Sequence, residues 1–453
     1  MKPDSERDAR AKSSRDATAR RSRDATAKRS REAGAALAGE VWPLVVIGAG
    51  AAGLLAALFA ARGGVRTLLL ESHAKPGAKI RASGGGRCNV LPSRAEPGDF
   101  HTEGSRNALR NLLGSWPLED VRAFFERDLG VPLKVEQTGK VFPVSDDPSE
   151  ITGALLGACA RAGVALRAGA RVRELGALGV GEADGAGFAL ALESGERLRA
   201  RRVALCTGGL SLPKTGSDGW GHQAAERLGH RLRPRYPALV PLLARDARFT
   251  ALAGVSVRAS LRVLRGDALL DARDGDLLFT HRGFSGPVVL DVSHALARAG
   301  HHGVALKAAW LGDDAAAWDA RLRDGGARSV QSFARAHLPK RLADALVARS
   351  GVAPERALAR LSREERTRLA EQLGACPLEI AGDEGYRTAE VTGGGVPLEE
   401  VATRTLESRL VPGLHFAGEI LDVTGRIGGF NFLWAWVTGR KVGMAIAESL
   451  AAR

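Results

Sequence analysis

One uncharged run, Leu44-Val-Val-Ile-Gly-Ala-Gly-Ala-Ala-Gly-Leu-Leu-Ala-Ala, constrains this chain more than any other stretch. A short apolar segment rich in β-branched residues reads as a buried strand. Three glycines at GxGxxG spacing follow, and a small-residue helix opens behind them. Gly48 permits a tight turn, Gly50 lets the backbone approach a pyrophosphate, and Gly53 lets the helix pack closely on the strand. The free amides of Ala51 and Ala52, at the head of that helix, favour an anion. A second strand, Arg66-Thr-Leu-Leu-Leu-Glu, ends on Glu71, 18 residues beyond Gly53, with Ser72 beside it. An acid there can accept from a ribose hydroxyl. Strand, turn, helix, strand and acid agree, and together they predict an adenine dinucleotide site.

The same run approaches the length of a membrane span and follows a region containing arginines, as a secretory signal would. Fingerprint glycines inside it and a strand ending in an acid after it argue against both readings. Arg20-Arg21 lies too far upstream for a twin-arginine signal. With no other candidate span in the sequence, a membrane is not an expected partner.

At 453 residues the chain exceeds what one core usually supports, so two domains are expected. Four cysteines (Cys88, Cys159, Cys206 and Cys376) show no CxxC spacing, which points to a reducing cytoplasm and away from structural zinc. Residues 1–40 hold 11 Lys/Arg and 7 Asp/Glu, so +10 of the net +14 belongs to the remainder. That excess is consistent with attraction to a polyanion such as RNA, and equally with a merely basic surface.

The N-terminal segment, 1–41, repeats Ser14-Arg-Asp-Ala-Thr-Ala-Arg-Arg as Ser22-Arg-Asp-Ala-Thr-Ala-Lys-Arg and contains no aromatic residue before Trp42. It reads as a disordered basic tail. Residues 42–235 alternate strands and helices. Helical segments are expected at Arg106–Leu113, Leu118–Leu129 and Pro148–Ala162, and strands at Lys140–Pro143, Ala165–Leu175, Phe188–Leu192 and Arg199–Cys206. Ser72–Pro97 reads as a long loop. From 236 to 385 the texture changes to the strands Val255–Leu264, Leu277–Thr280 and Val304–Trp310, followed by a charged helical stretch, Asp313–Leu373. Glycine-rich signatures return over 386–453. The expected fold is therefore α/β: a Rossmann-type dinucleotide domain in two parts, interrupted by an inserted mixed β/helical domain.

Further glycine clusters sit at expected strand ends. Gly77-Ala-Lys79 and Ser83-Gly-Gly-Gly-Arg-Cys-Asn89 form a second phosphate-handling loop, in which Gly85, Gly86, Cys88 and Asn89 would approach the ligand while Arg87 offsets charge. Thr207-Gly208-Gly209 follows a strand. Near the C-terminus, Gly418-Glu419 leads through Asp422 and Gly425 to Gly428-Gly429-Phe430-Asn431, where a helix opening would direct its amides at a ring that gains negative charge. One elongated ligand explains why such turns recur so far apart.

These residues resemble the BaiN/RdsA family of FAD-dependent oxidoreductases. The resemblance is carried by Val46-Ile-Gly-Ala-Gly-Ala-Ala-Gly-Leu, Ser83-Gly-Gly-Gly-Arg-Cys-Asn, Gly139-Lys-Val-Phe-Pro, Thr207-Gly-Gly and Thr215-Gly-Ser-Asp-Gly. It continues through Tyr236-Pro-Ala-Leu-Val-Pro-Leu, Leu278-Phe-Thr-His-Arg-Gly-Phe-Ser-Gly-Pro, Val391-Thr-Gly-Gly-Gly-Val and Ala417-Gly-Glu-Ile-Leu-Asp-Val-Thr-Gly. It spans Val41 to the C-terminus, in order. Asp147, Val90-Leu-Pro and Leu433 depart from the family pattern.

The resemblance implies FAD on a Rossmann domain and reduction of a carbon–carbon double bond conjugated to a carbonyl. The substrate it suggests is uridine in ribosomal RNA or a small enone. No second GxGxxG follows a strand, so NAD(P)H as electron donor would visit the flavin only transiently. Cys88 and His281 are candidate proton donors, each weighed against a purely structural role: a small buried residue and a turn-bonding histidine. Two other functional classes stay open, an NAD(P)H-linked flavin reductase or oxidase of a small metabolite and an RNA-associated flavoprotein without turnover.

Overall fold

A computed structural model describes residues 41–178 and 187–451; the expected basic tail lies outside them except for Val41. Five parallel strands form the first sheet in the order Ala165–Ala168, Thr67–Glu71, Val41–Ile47, Arg197–Leu205, Leu414–Phe416. The Val- and Leu-rich sequences of Val41–Ile47 and Thr67–Glu71 suit strands covered on both faces, and Thr67–Glu71 is buried at every position. Antiparallel strands at Gly187–Leu192 and Val172–Leu178 extend the sheet beside the start of Arg197–Leu205. The long strand expected over Ala165–Leu175 is broken. Gly169, at φ 71°, turns the chain out of the parallel sheet, and its amide bonds to the His73 carbonyl. The expected long loop also holds a helix, Ala78–Gly86, distorted at Ser83, Gly84 and Gly85.

The fingerprint helix Ala51–Arg62 packs along the long C-terminal helix Phe430–Ala451. Their approach is close because glycines stand where the backbones meet. A Cβ on Gly439 would lie 2.3 Å from the Ala52 carbonyl oxygen, and one on Gly443 2.5 Å from that of Ala56. The first core therefore joins the earliest and latest parts of the chain.

Residues 242–380 build a second core. Its seven-stranded antiparallel sheet runs in the order Cys376–Leu378, Ala305–Trp310, Ser256–Arg265, Ala268–Phe279, Gly283–Ser285, Leu242–Ala244, Ile380–Asp383. The helix Pro287–Arg298 packs on its central hairpin, and helices from Ala315 to Gly374 follow. The hairpin's second strand is longer than the expected Leu277–Thr280, because charged residues alternating from Asp271 to Asp276 hid its period. An antiparallel pair, Arg233–Ala238 with Val391–Gly395, carries the chain into and out of this unit.

The two units are clamped at Arg426. Its Nε and Nη2 donate to Asp291 Oδ2 at 3.1 and 3.0 Å, and the Ile427 amide donates to Asp291 Oδ1 at 2.7 Å. Replacing Gly439 with Val should force the two long helices apart and lower stability by about 2 kcal/mol or more, read from the shift in urea unfolding.

Candidate functional site

Gly48 sits at φ 100°, and a Cβ there would lie 2.5 Å from the Cys206 carbonyl oxygen. Its amide donates to the Leu70 carbonyl at 2.8 Å, tying the turn to the neighbouring strand. A Cβ on Gly53 would collide with the Gly48 oxygen at 1.8 Å, so that glycine serves helix–strand packing. Gly50 differs: it precedes the helix in an extended conformation, and a Cβ would meet no atom within 4 Å. It faces open space, in a cleft of about 420 Å³.

That cleft gathers many of the expected residues. Gly48, Gly50, Ala51, Ala52, Glu71 and Ser72 line one end, with Asp218 of the Thr215-Gly-Ser-Asp-Gly segment and with Arg171 and Trp220, which the sequence did not single out. Lys79, Gly85 and Asn89 line it from the second loop, and Thr207 and Gly208 from the strand end. Gly418, Glu419, Gly428, Gly429 and Asn431 line it from the C-terminal segment. Sequence distances of several hundred residues collapse here because every one of these turns caps a strand or helix of the first core.

Several polar groups are held before any ligand arrives. Glu71 Oε2 accepts from the Ala49 amide at 2.8 Å, and Oε1 from the His73 amide at 2.8 Å. Asn89, with its amide oriented to suit its neighbours, accepts from the Gly429 amide at 3.1 Å and donates to the Leu91 carbonyl at 3.1 Å. It thus pins the second glycine loop to the C-terminal turn. Asn431 holds the same turn through both its amide groups and the backbone of Gly425, at 2.8 and 2.9 Å.

Lys79 Nζ donates to Glu419 Oε2 at 2.8 Å and to Ser211 Oγ at 2.7 Å; Glu419 Oε1 accepts from Ser211 Oγ and the Thr392 amide. Burial opposes ionisation of Glu419 most strongly. Lys79 and the hydrogen bonds together outweigh it and hold the carboxyl below the ordinary glutamate range.

Other expected residues lie outside the cleft lining. Arg87 turns away, stacking 4.1 Å over the Phe142 ring and pairing with Glu136 at 2.7 Å. Gly86 stands beside it. Cys88, at φ 62°, is fully buried, and burial pushes its thiol up to about 12. Gly209 fits under Thr392 and Glu419, where a Cβ would lie 2.4 Å from Thr392 Oγ1. Asp422 accepts from the Glu103 amide at 3.1 Å, and Phe430 packs edge-on against Phe100 over Gly425. His281 is exposed on a turn of the second sheet. Among the departures, Asp147 caps the helix Pro148–Arg161, accepting from the Ser149 amide at 2.8 Å. Leu433 is buried in the last helix.

The fold also aligns Ser408, His230 and Glu400, with Ser408 Oγ 2.8 Å from His230 Nε2 and His230 Nδ1 2.7 Å from Glu400 Oε2. This is the bonding order of a hydrolytic triad. Ser408 Oγ, however, accepts from the amides of Leu410 and Val411 and does not line the cleft, so the three residues act as an internal latch.

An FAD suits this donor set. Helix-head amides stand where a pyrophosphate would lie, Glu71 retains lone pairs for a ribose, and Gly50 and Gly85 leave room for close backbone approach. Thr207 lines the cleft, with its Oγ1 buried against Gly221 and without a hydrogen-bond partner among the described residues.

Residues 42–445 match the family described as HI0933-like protein Rossmann domain. The chain is 34% identical over 405 residues to a ribosomal RNA dihydrouridine synthase of Escherichia coli (strain K12), covering 88% of this chain and 96% of that one. It is 33% identical over 412 residues to a 3-dehydro-bile acid delta(4,6)-reductase of Clostridium scindens, covering 89% and 98%. A ribosomal RNA dihydrouridine synthase of Haemophilus influenzae is 29% identical over 418 residues, with the same coverages of 89% and 98%.

Two outcomes follow from this geometry. Gly50→Val should leave the melting temperature nearly unchanged yet abolish FAD retention, measured by flavin absorbance per purified chain. Lys79→Met should strand Glu419 and destabilise the protein by about 3 kcal/mol at neutral pH, read by urea unfolding. Because Glu419 is depressed when folded, its contribution is present above the ordinary glutamate range and is lost as pH falls through the depressed value. The deficit of the Met variant should therefore shrink in acid.

Proposed function

The chain belongs to the HI0933-like Rossmann-domain family of FAD-dependent oxidoreductases, and from that premise we propose that it reduces uridine in ribosomal RNA to dihydrouridine. The coarser reaction is reduction of a carbon–carbon double bond conjugated to a carbonyl, which also covers the bile acid reductase among its relatives. When bound and reduced, FAD supplies a hydride equivalent to the β carbon of such a bond. A nicotinamide would re-reduce it in passing, since the sequence has one dinucleotide fingerprint.

The observation that carries the choice of uridine is a second cavity of about 130 Å³, which adjoins the cleft and shares Leu239 and Arg426 with it. It lies between the two units and is lined by His101, Asp271, Arg273, Asp291 and His294. Burial holds His101 down at about 3, so that imidazole is neutral at physiological pH. Arg426 is balanced by Asp291, and Arg273 by Asp271 at 2.9 Å. Such a polar and nearly charge-balanced chamber matches a pyrimidine ring better than the apolar face of a steroid. The outer face of the second sheet carries Arg258, Arg262 and Lys307, interspersed with Asp274 and Asp276. That pattern agrees with backbone contact to RNA, with the acids limiting it.

Within the cleft, the chain's own residues bind and orient. Helix-head amides and Glu71 fix the dinucleotide end, and the turn held by Asn89 and Asn431 fixes the other. Deleting the gene should remove a dihydrouridine from ribosomal RNA, seen by mass spectrometry of its nucleosides, and the intact gene should restore it. An unchanged dihydrouridine content would leave the small-enone reading in its place.

A further inference from the structure

Four acids line the cleft: Glu71, Asp218, Glu390 and Glu419. Three are committed. Glu71 holds the amides of Ala49 and His73, Asp218 pairs with Arg171 and accepts from the Trp220 amide at 2.9 Å, and Glu419 is locked to Lys79. The Glu390 carboxyl alone among them makes no hydrogen bond or ion pair among the described residues.

Its position is well defined by its backbone. The Glu390 amide donates to the Leu239 carbonyl at 3.2 Å, and its carbonyl oxygen lies 3.2 Å from Ser211 Oγ, whose closer partner is Glu419. The next residues enter the strand Val391–Gly395, anchored where Thr392 Oγ1 accepts from the amides of Leu210 and Ser211 at 2.7 and 2.9 Å. Leu239 lines both the cleft and the second cavity, so the Glu390 backbone is bonded to a residue at their junction while Glu390 itself lines the cleft. Its side chain reaches solvent through the cleft, giving it a route for proton exchange.

We propose that Glu390 is the general acid that protonates the α carbon of the substrate. This assignment rests on the double-bond reduction proposed above. The hydride equivalent forms the C–H bond at the β carbon and breaks the π bond, whose electron pair passes to the α carbon and its carbonyl. That pair takes the proton from the Glu390 O–H, forming the second C–H bond and leaving a carboxylate. Water at the cleft mouth returns a proton to it. FAD ends oxidised, and a two-electron donor of the nicotinamide class restores it.

The surroundings favour a protonated acid at this place. Although the Glu390 side chain stays open to solvent along the cleft, displacement of water by the cleft walls raises its carboxyl above the ordinary glutamate range and Asp291 adds to the rise, while Lys140 and Lys79 oppose it. An acid of raised pKa can donate near neutrality. Of the two donors suggested by the sequence, Cys88 is sealed in the first core, and His281 is exposed on a turn of the second sheet and lines neither cavity.

The test uses the full-length FAD-bound protein and its Glu390→Gln variant. FAD content should be unchanged. Oxidation of the reduced protein by ribosomal RNA from the deletion strain, or by 2-cyclohexenone, should slow about 100-fold in the variant. Two readouts are independent of turnover. The infrared spectrum at neutral pH should show a protonated carboxyl band in the wild type that the variant lacks. Because the raised group costs stability once ionised, the wild-type melting temperature should fall relative to the variant as pH rises through the Glu390 pKa, and the two should converge in acid. Equal oxidation rates in the two proteins, or no difference in the carboxyl band, would overturn the assignment. A wild-type protein that reduces neither probe would instead overturn the double-bond reading on which it rests.

Discussion

The structure depends on how closely three stretches of backbone meet behind the first glycine turn. The Gly48 amide is bonded to Leu70, Gly53 abuts the Gly48 oxygen, and Gly48 abuts the Cys206 carbonyl. A side chain on Gly48 or Gly53 would push the helix off the sheet or the strands apart. Glu71 completes the arrangement by holding the Ala49 amide, so the acid at the end of the second strand also shapes the turn at the end of the first. Convergence of the later glycine segments follows. Gly418 fits against Ala52, and the C-terminal helix lies along the fingerprint helix through Gly439 and Gly443.

Charge is organised on the same frame. Where a long-range tie must be rigid, as between Lys79 and Glu419, it is short and shielded, with both Glu419 oxygens accepting hydrogen bonds. Such a pair fixes geometry more than it adds stability, because desolvation cancels much of the attraction. Arg426 plays a similar part between the two units, and its clamp on Asp291 sets the boundary between cleft and second cavity. Glu390 escapes this pairing, which is why a reactive role falls to it.

The first glycine turn was legible in the sequence because the glycine spacing is fixed by backbone geometry: Gly53 abuts the Gly48 oxygen five residues earlier, Gly48 abuts the distant Cys206 carbonyl, and Gly50 faces open space. The strand ends at Thr207 and Gly418 were legible for a related reason: glycine after an apolar run marks a turn wherever the strand lies. Orientation was not legible. Arg87 and Cys88 belong to the right loop, but positive φ angles at Gly86 and Cys88 turn the chain so that one side chain stacks on Phe142 and the other enters the core. His281 sits on a turn whose motif is distinctive, yet that turn belongs to a core with its own packing. Glu390 carried no signal at all. An acid before a glycine-rich strand is ordinary, and its place is set by Leu239, about 150 residues earlier in the chain.

Calorimetric titration of the flavin-free protein with FAD and with FMN tests most directly whether these segments enclose one extended dinucleotide. FMN has the ring and one phosphate but lacks the adenylate half. The account predicts one FAD per chain and much weaker binding of FMN, because the amides of Ala51 and Ala52 and the carboxylate of Glu71 would then lose the adenylate half that they are proposed to hold. Equal affinity for the two flavins, or no uptake of either, would contradict it.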